Sequence, residues 1–175
     1  MFMNEWSKWP IKLIDKKDFP PQLGEIRLCP EKLYYRGEWK RELFDKGGAV
    51  VGSRQITRYG RDVVDKIMPE IVFRKATVIS GFMYGVDSES HRQCVEYGGK
   101  TVAVLGSGLD RPYPKENSRL YTEILNSGGV VVSEYEPDFG ATVWSFPQRN
   151  RIVAGLVNVG VVIIEAGIKS GSLIT

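Results

Sequence analysis

The sequence predicts an α/β fold, a doubly wound and mostly parallel sheet with helices on both faces. Three observations predict it. After residue 47 the chain carries a series of continuous apolar runs, those runs do not alternate apolar with polar residues, and segments with helical spacing lie between them. Runs that do not alternate belong to strands covered on both faces, as parallel strands flanked by helices are. Strand alternating with helix, joined by right-handed crossovers, gives the doubly wound arrangement.

Taken in order, residues 1–46 form a lead-in segment expected to pack on the main domain. Ile11 to Trp39 is rich in proline and aromatics and has no helical period. Lys32-Leu33-Tyr34-Tyr35-Arg36-Gly37 reads as one short strand ending in a turn. Its apolar residues are too few to enclose a core alone. Residues 47–175 carry the repeated units. The predicted strands are Ala49–Val51, Ala76–Ile79, Thr101–Leu105, Val130–Val132 and Val159–Ile164. Predicted helical stripes are Val63, Val64, Ile67, Met68, Ile71 and Val72; Leu120, Tyr121, Ile124 and Leu125; and Ile152, Val153, Leu156 and Val157. Pro69 falls inside the first stripe, which predicts a kink or restart there.

At 175 residues the chain can bury a core, with 42% hydrophobic and 26% charged residues. A net charge of +3 permits an anionic partner without requiring one. Cys29 and Cys94 form no CxxC spacing, so a metal cluster or disulfide framework is not expected and a reducing, cytoplasmic setting is. Met1 to Trp9 lacks the apolar run of a signal peptide. Nothing approaches the roughly 20 apolar residues of a membrane span. A soluble protein with no cofactor is the expectation.

Each predicted strand is followed by small and polar residues. These loops hold Gly52-Ser53-Arg54, Ser80-Gly81 through Gly85, Gly106-Ser107-Gly108, Ser133-Glu134, and Glu165 through Lys169-Ser170-Gly171-Ser172. In an open α/β sheet they share the carboxyl edge, where ligands bind at the switch point of strand order. Glycine lets backbone N–H groups approach an anion, and a following helix N-terminus adds positive potential. For a single glycine, a tight turn explains as much.

Charge placement adds to this. Arg149-Asn150-Arg151 immediately precedes the stripe from Ile152, which places both arginines at or near a helix start. Cations there oppose the helix macrodipole by about 0.3–1 kcal/mol each, an arrangement that a bound phosphate would relieve. Arg54 and Lys169 repeat the pattern ahead of other helices. The bland reading has these side chains turned to solvent or paired with Glu134, Glu136 or Glu165. Aromatic residues fall in the same loops: Tyr84, Tyr113, Tyr135, Trp144 and Phe146. Exposed rings beside cations offer stacking surfaces to unpaired bases, and Phe146 lies closest in sequence to the arginine pair.

Other chemistries find less support. Gly106-Ser107-Gly108 supplies G-x-G, but Arg111 stands where a dinucleotide fingerprint needs its third glycine, and no P-loop motif occurs. His91, beside Arg92, reads as a structural hydrogen-bonding residue. No base stands next to Ser53, Ser80 or Ser170 to make a nucleophile, Asp87 reads equally as a helix N-cap, and no enzyme activity is expected.

Read together, Val51-Gly52-Ser53-Arg54, Ser80-Gly81 with Gly85-Val86-Asp87, Ala103 to Asp110, Tyr113-Pro114-Lys115-Glu116-Asn117, Ser133-Glu134, Phe146 to Ile152, and Glu165-Ala166 with Ser170 to Thr175 resemble the DprA/Smf family, DNA-processing protein A. The match runs from about Ile11 to the last residue. It implies a Rossmann-like domain at residues 47–175 that binds single-stranded DNA and assists RecA loading during natural transformation. It also implies a homodimer. By motif, Gly52, Ser53 and Arg54 would hold phosphates, with Arg149, Asn150 and Arg151 in the same groove. Lys169, Ser170, Gly171 and Ser172 would close its far side. Ser80, Gly81, Gly85, Gly106, Gly108, Asn117 and Phe146 complete the candidate surface. Three departures stand out. Tyr84 replaces the arginine usual in that family's loop; the chain stops at Thr175 inside an expected helix, leaving the domain incomplete; and the first nine residues leave no room for an extra N-terminal helical domain.

Three functions thus compete: binding of single-stranded DNA by phosphate clamping with some base stacking, sensing of a nucleotide or nucleotide derivative at the strand edge, and a bare interaction module.

Overall fold

The computed structural model describes residues 5–167. Its strands are β1 (Lys12–Asp15), β2 (Lys32–Gly37), β3 (Gly47–Gly52), β4 (Thr77–Ser80), β5 (Thr101–Leu105), β6 (Val130–Ser133) and β7 (Gly160–Ile164). Its helices are α1 (Pro21–Gly24), α2 (Arg58–Phe73), α3 (Val86–Glu96), α4 (Ser118–Asn126) and α5 (Ser145–Gly155). The seven strands make one sheet in the order β1-β2-β6-β5-β4-β3-β7. Strands β3 to β7 are parallel to their neighbours, whereas β1–β2 and β2–β6 pair antiparallel. This is the Rossmann-like, mostly parallel α/β sheet that the sequence predicts.

Alternation along each strand sends side chains to two cores. Val50, Val78 and Ile164 meet Val64 and Met68 of α2 with Val86 and Cys94 of α3. On the same face, Ala103, Leu105 and Val131 meet Leu120, Tyr121, Ile124 and Leu125 of α4. Ala49, Val51, Ile79, Val102, Val104, Val130 and Val132 point the other way, onto Ile152, Val153 and Leu156 of α5. Leu23, Leu33, Leu43 and Phe44, all before residue 47, join that second core. The lead-in chain therefore contributes two sheet strands and part of both faces, with Trp6 and Tyr34 on the α4 side.

The path β3-β4-β5-β6 steps across the sheet in one direction with α2, α3 and α4 on one face. The return to β7 carries α5 over the opposite face. Strand order reverses between β3 and β7, so the crevice outside their carboxyl ends is the switch point.

Three expectations are corrected. The apolar run Val159–Ile164 is not covered on both faces by the described residues: Val159, Val161, Val162 and Ile163 are exposed by 40–67%, and only Ile164 is buried. Among the described residues β7 pairs with β3. Helix α2 does not restart at Pro69; it runs through it from Arg58 to Phe73, with Pro69 on the exposed side. Helix α5 begins at Ser145, so Arg149 and Arg151 lie in its interior and not at its start. Pro147 in its first turn is compatible with a helix, since the N–H it lacks would have no intrahelical partner there.

Candidate functional site

The loops after β3, β4 and β5 and the first turns of α5 meet at the carboxyl edge. Gly52 and Gly85 let them meet. The Ile164 carbonyl oxygen of β7 lies where a Cβ on Gly52 would stand, and the Ser53 carbonyl lies where one on Gly85 would stand. Gly85 also has φ +75°, a left-handed conformation open to glycine. Ser53 receives the Val86 N–H on its carbonyl (3.0 Å), and its own hydroxyl accepts from the Gln55 N–H (3.1 Å), a local turn. These bonds fix Arg54 at the rim. Its side chain is exposed, makes no ion pair among the described residues, and holds its guanidinium 5.4 Å from the centre of the Phe146 ring.

Phe146 lies against the backbone of Gly106, where a Cβ would come within 2.8 Å of the ring. Ser145 next to it donates to the Gly106 carbonyl (2.6 Å), tying α5 to the β5 loop. The Gly108 N–H donates to the Phe139 carbonyl (2.8 Å), which locks the loop after β6 in place.

Beneath this rim the polar groups turn inward. The buried Arg149 guanidinium donates to the Gly81 and Val104 carbonyls, at the ends of β4 and β5. Asp87, also buried, accepts from the Met83 N–H (3.3 Å). Gly81 separates the two charges: a Cβ there would lie 2.6 Å from the Asp87 carboxylate and 2.7 Å from the Arg149 guanidinium. Burial raises the Asp87 carboxyl and lowers the Arg149 guanidinium to about 10, in each case against the attraction of the other. Ser80 is buried and donates to the Val50 carbonyl (2.6 Å). Asn117 is buried and donates to the carbonyl of Phe82 (3.0 Å), a residue held at φ +63°. Asn150 accepts from Arg149 Nε (3.2 Å).

The structure thus brings Gly52, Ser53, Arg54, Gly85, Gly106 and Phe146 together at the rim, with Ser80, Gly81, Asn117 and Arg149 supporting them from below. Arg151 lies elsewhere. It pairs with Glu134 through both Nη atoms and donates to the Leu28 carbonyl (2.8 Å) of the lead-in segment. Lys169, Ser170, Gly171 and Ser172, and the helix expected after them, lie outside the described residues.

Sequence reasoning passed over the start of α2. Thr57 is its N-cap residue, and Arg58 and Arg61 sit in its first turn with no acidic residue among them. The pattern of cations at a helix start therefore belongs to α2. Thr57 ahead of the Val63 stripe was the available signal. Glu165, at φ +54°, reaches back from the end of β7: its carboxylate accepts from the Thr57 hydroxyl and from the Thr57 N–H (3.0 Å). Those bonds hold the Glu165 carboxyl below its ordinary range.

His91 is fully buried, with Nδ1 2.7 Å from the Thr101 hydroxyl, which itself donates to the Val78 carbonyl (2.8 Å). With that hydroxyl proton committed, Nδ1 is the donor. Among the described residues no three His, Cys, Asp or Glu side chains cluster as a metal site, and no helix is long and apolar enough to cross a membrane.

The family model for DNA recombination-mediator protein A matches residues 11–175. The chain belongs to that family. DNA processing protein DprA of Streptococcus pneumoniae is 41% identical over 172 residues, covering 98% of this chain and 60% of the relative. Protein Smf of Escherichia coli is 37% identical over 161 residues, covering 92% and 42%. The chain thus spans about half the length of these relatives. The X-ray structure of DprA from S. pneumoniae superposes with a TM-score of 0.84 at 39% identity, covering 97% of this chain and 59% of that one. A DprA structure from Helicobacter pylori, described for its unique single-stranded DNA binding mode, also gives 0.84, at 30% identity over 96% and 75%.

Proposed function

We propose that this chain binds single-stranded DNA, with phosphates held along the rim formed by Gly52, Ser53 and Arg54. In this reading Arg54 is the phosphate-facing cation. Arg149 acts from below, holding the Gly81 and Val104 carbonyls so that the rim keeps its shape. The observation that carries the reading is the exposed Arg54 guanidinium over Phe146, a cation and a ring presented side by side on converging loops. Such pairs suit a strand that offers phosphates and unpaired bases together. The DprA relative from H. pylori, described by its single-stranded DNA binding mode, supports it. Hand-over of the strand to RecA and self-association belong to the same proposal and rest on the motif resemblance alone.

Nucleotide sensing has less support. A mononucleotide phosphate at the switch point would sit on the α2 N-terminus, where the Glu165 carboxylate already meets the Thr57 N–H. A phosphate brought there would face a like charge.

Arg54→Ala tests the assignment. The expected result is weaker binding of single strands irrespective of their sequence, with the salt slope of log K reduced by about 0.7, the share of one phosphate contact. Unchanged affinity and slope would remove Arg54 from the interface.

A further inference from the structure

A row of side chains from three loops and the first turn of α5 crosses the rim. Arg54 lies over Phe146 (5.4 Å), Phe146 meets Tyr113 (5.6 Å), Tyr113 meets Tyr84 (6.4 Å), and the Tyr84 hydroxyl donates to Glu116 (2.8 Å). The Tyr84 and Tyr113 rings are 37% and 40% exposed. Their contacts are tilted or edge-on, at 48° and 77°, so neither ring is stacked face to face on its neighbour. A second aromatic group nearby behaves differently. Tyr135 and Phe139 stack face to face at 4.5 Å and 17°, and the Tyr135 hydroxyl is committed to the Ser145 carbonyl (3.2 Å). Those rings use their faces on each other. Tyr84 and Tyr113 are part-exposed and not stacked on each other.

The row is also polar from end to end. A guanidinium stands at one end and a carboxylate at the other, with only rings between. A phosphate is attracted to the Arg54 end and repelled by Glu116, so a strand lying across the row turns its backbone toward Arg54 and its bases toward the tyrosines. The Glu116 carboxylate holds the Tyr84 ring in place, and its bond pushes the Tyr84 hydroxyl up to about 12, so the ring stays neutral.

We propose that Tyr84 and Tyr113 form a base-stacking subsite for unpaired nucleotides, in register with phosphates held at Arg54. This rests on the single-stranded DNA reading above, and the two fail in different ways. The test compares an intact oligonucleotide with an abasic strand of the same length, which keeps the phosphates and lacks the rings. The expected result is that the unaltered chain prefers the intact strand by about tenfold or more. Tyr84→Ala with Tyr113→Ala should lower that ratio several-fold, leaving only what Phe146 contributes. Tyr84→Phe in the single-variant series should restore the preference that Tyr84→Ala loses, because it keeps the ring and gives up only the bond to Glu116. Equal affinity of the unaltered chain for both strands overturns the subsite and leaves phosphate binding standing. A ratio unmoved in the double variant, or Tyr84→Phe as impaired as Tyr84→Ala, also overturns it. Binding of neither strand overturns both readings.

Discussion

Arg149→Met is expected to destabilise the protein by about 3–5 kcal/mol, the cost of breaking a buried charge arrangement from one side. The substitution keeps much of the side-chain volume. What it removes is the donor to the Gly81 and Val104 carbonyls and the positive charge facing Asp87 across Gly81. The Asp87 carboxyl is already raised by burial with Arg149 present, and without it ionisation becomes harder still. Burial outweighs the mutual attraction for both groups, so the two charges are a costly device that fixes loop geometry. Combining Arg149→Met with Asp87→Asn should therefore cost less than the sum of the single changes. Urea unfolding of the three variants measures this. A loss below about 1 kcal/mol for Arg149→Met, the level of an exposed ion pair, would contradict the buried-brace account.

Acidification is expected to unfold the protein through His91. Burial, with a smaller contribution from the Arg149 charge, lowers the folded-state imidazole from its ordinary 6.5 to about 3. Above pH 6.5 both folded and unfolded states hold the neutral ring, and the full stability is present. Between 6.5 and 3 only the unfolded chain takes up the proton, so stability falls with pH and levels off below 3. The loss reaches on the order of 3 kcal/mol by pH 4. Asp87 works in the opposite sense, since its raised carboxyl favours the folded state as pH falls. His91→Gln, which still offers Thr101 a donor, should flatten the profile between pH 6.5 and 4. An unaltered slope in that variant would show that other groups drive the acid transition.

The parts of this fold that were legible in the sequence are those whose cause is local. Thr101–Leu105 and Lys32–Gly37 are bounded apolar or aromatic runs, and both occur as strands over those residues. Strand β1 was not legible. Lys12-Leu13-Ile14-Asp15 holds only two apolar residues and owes its conformation to pairing with β2. The start of α5 was hidden for a different reason. Its apolar face begins at Ile152, but the inward position one turn earlier is filled by a charged residue, Arg149, which hydrophobic periodicity cannot register. Arg151 pairs with Glu134, a partner that the alternative reading of these cations named. The rim residues Gly52, Ser53, Arg54, Gly85 and Phe146 were readable because small residues after strands have a local cause, namely close approach of backbone.

The most direct measurement is an anisotropy titration of the chain with a single strand of about 20 nucleotides, the matching duplex and a mononucleotide, at low and moderate salt. Saturable binding of the single strand, weaker for the duplex and absent for the mononucleotide, with log K falling linearly as log salt rises, is the predicted result. A flat salt response, or saturable binding of the mononucleotide with none of the single strand, would contradict it.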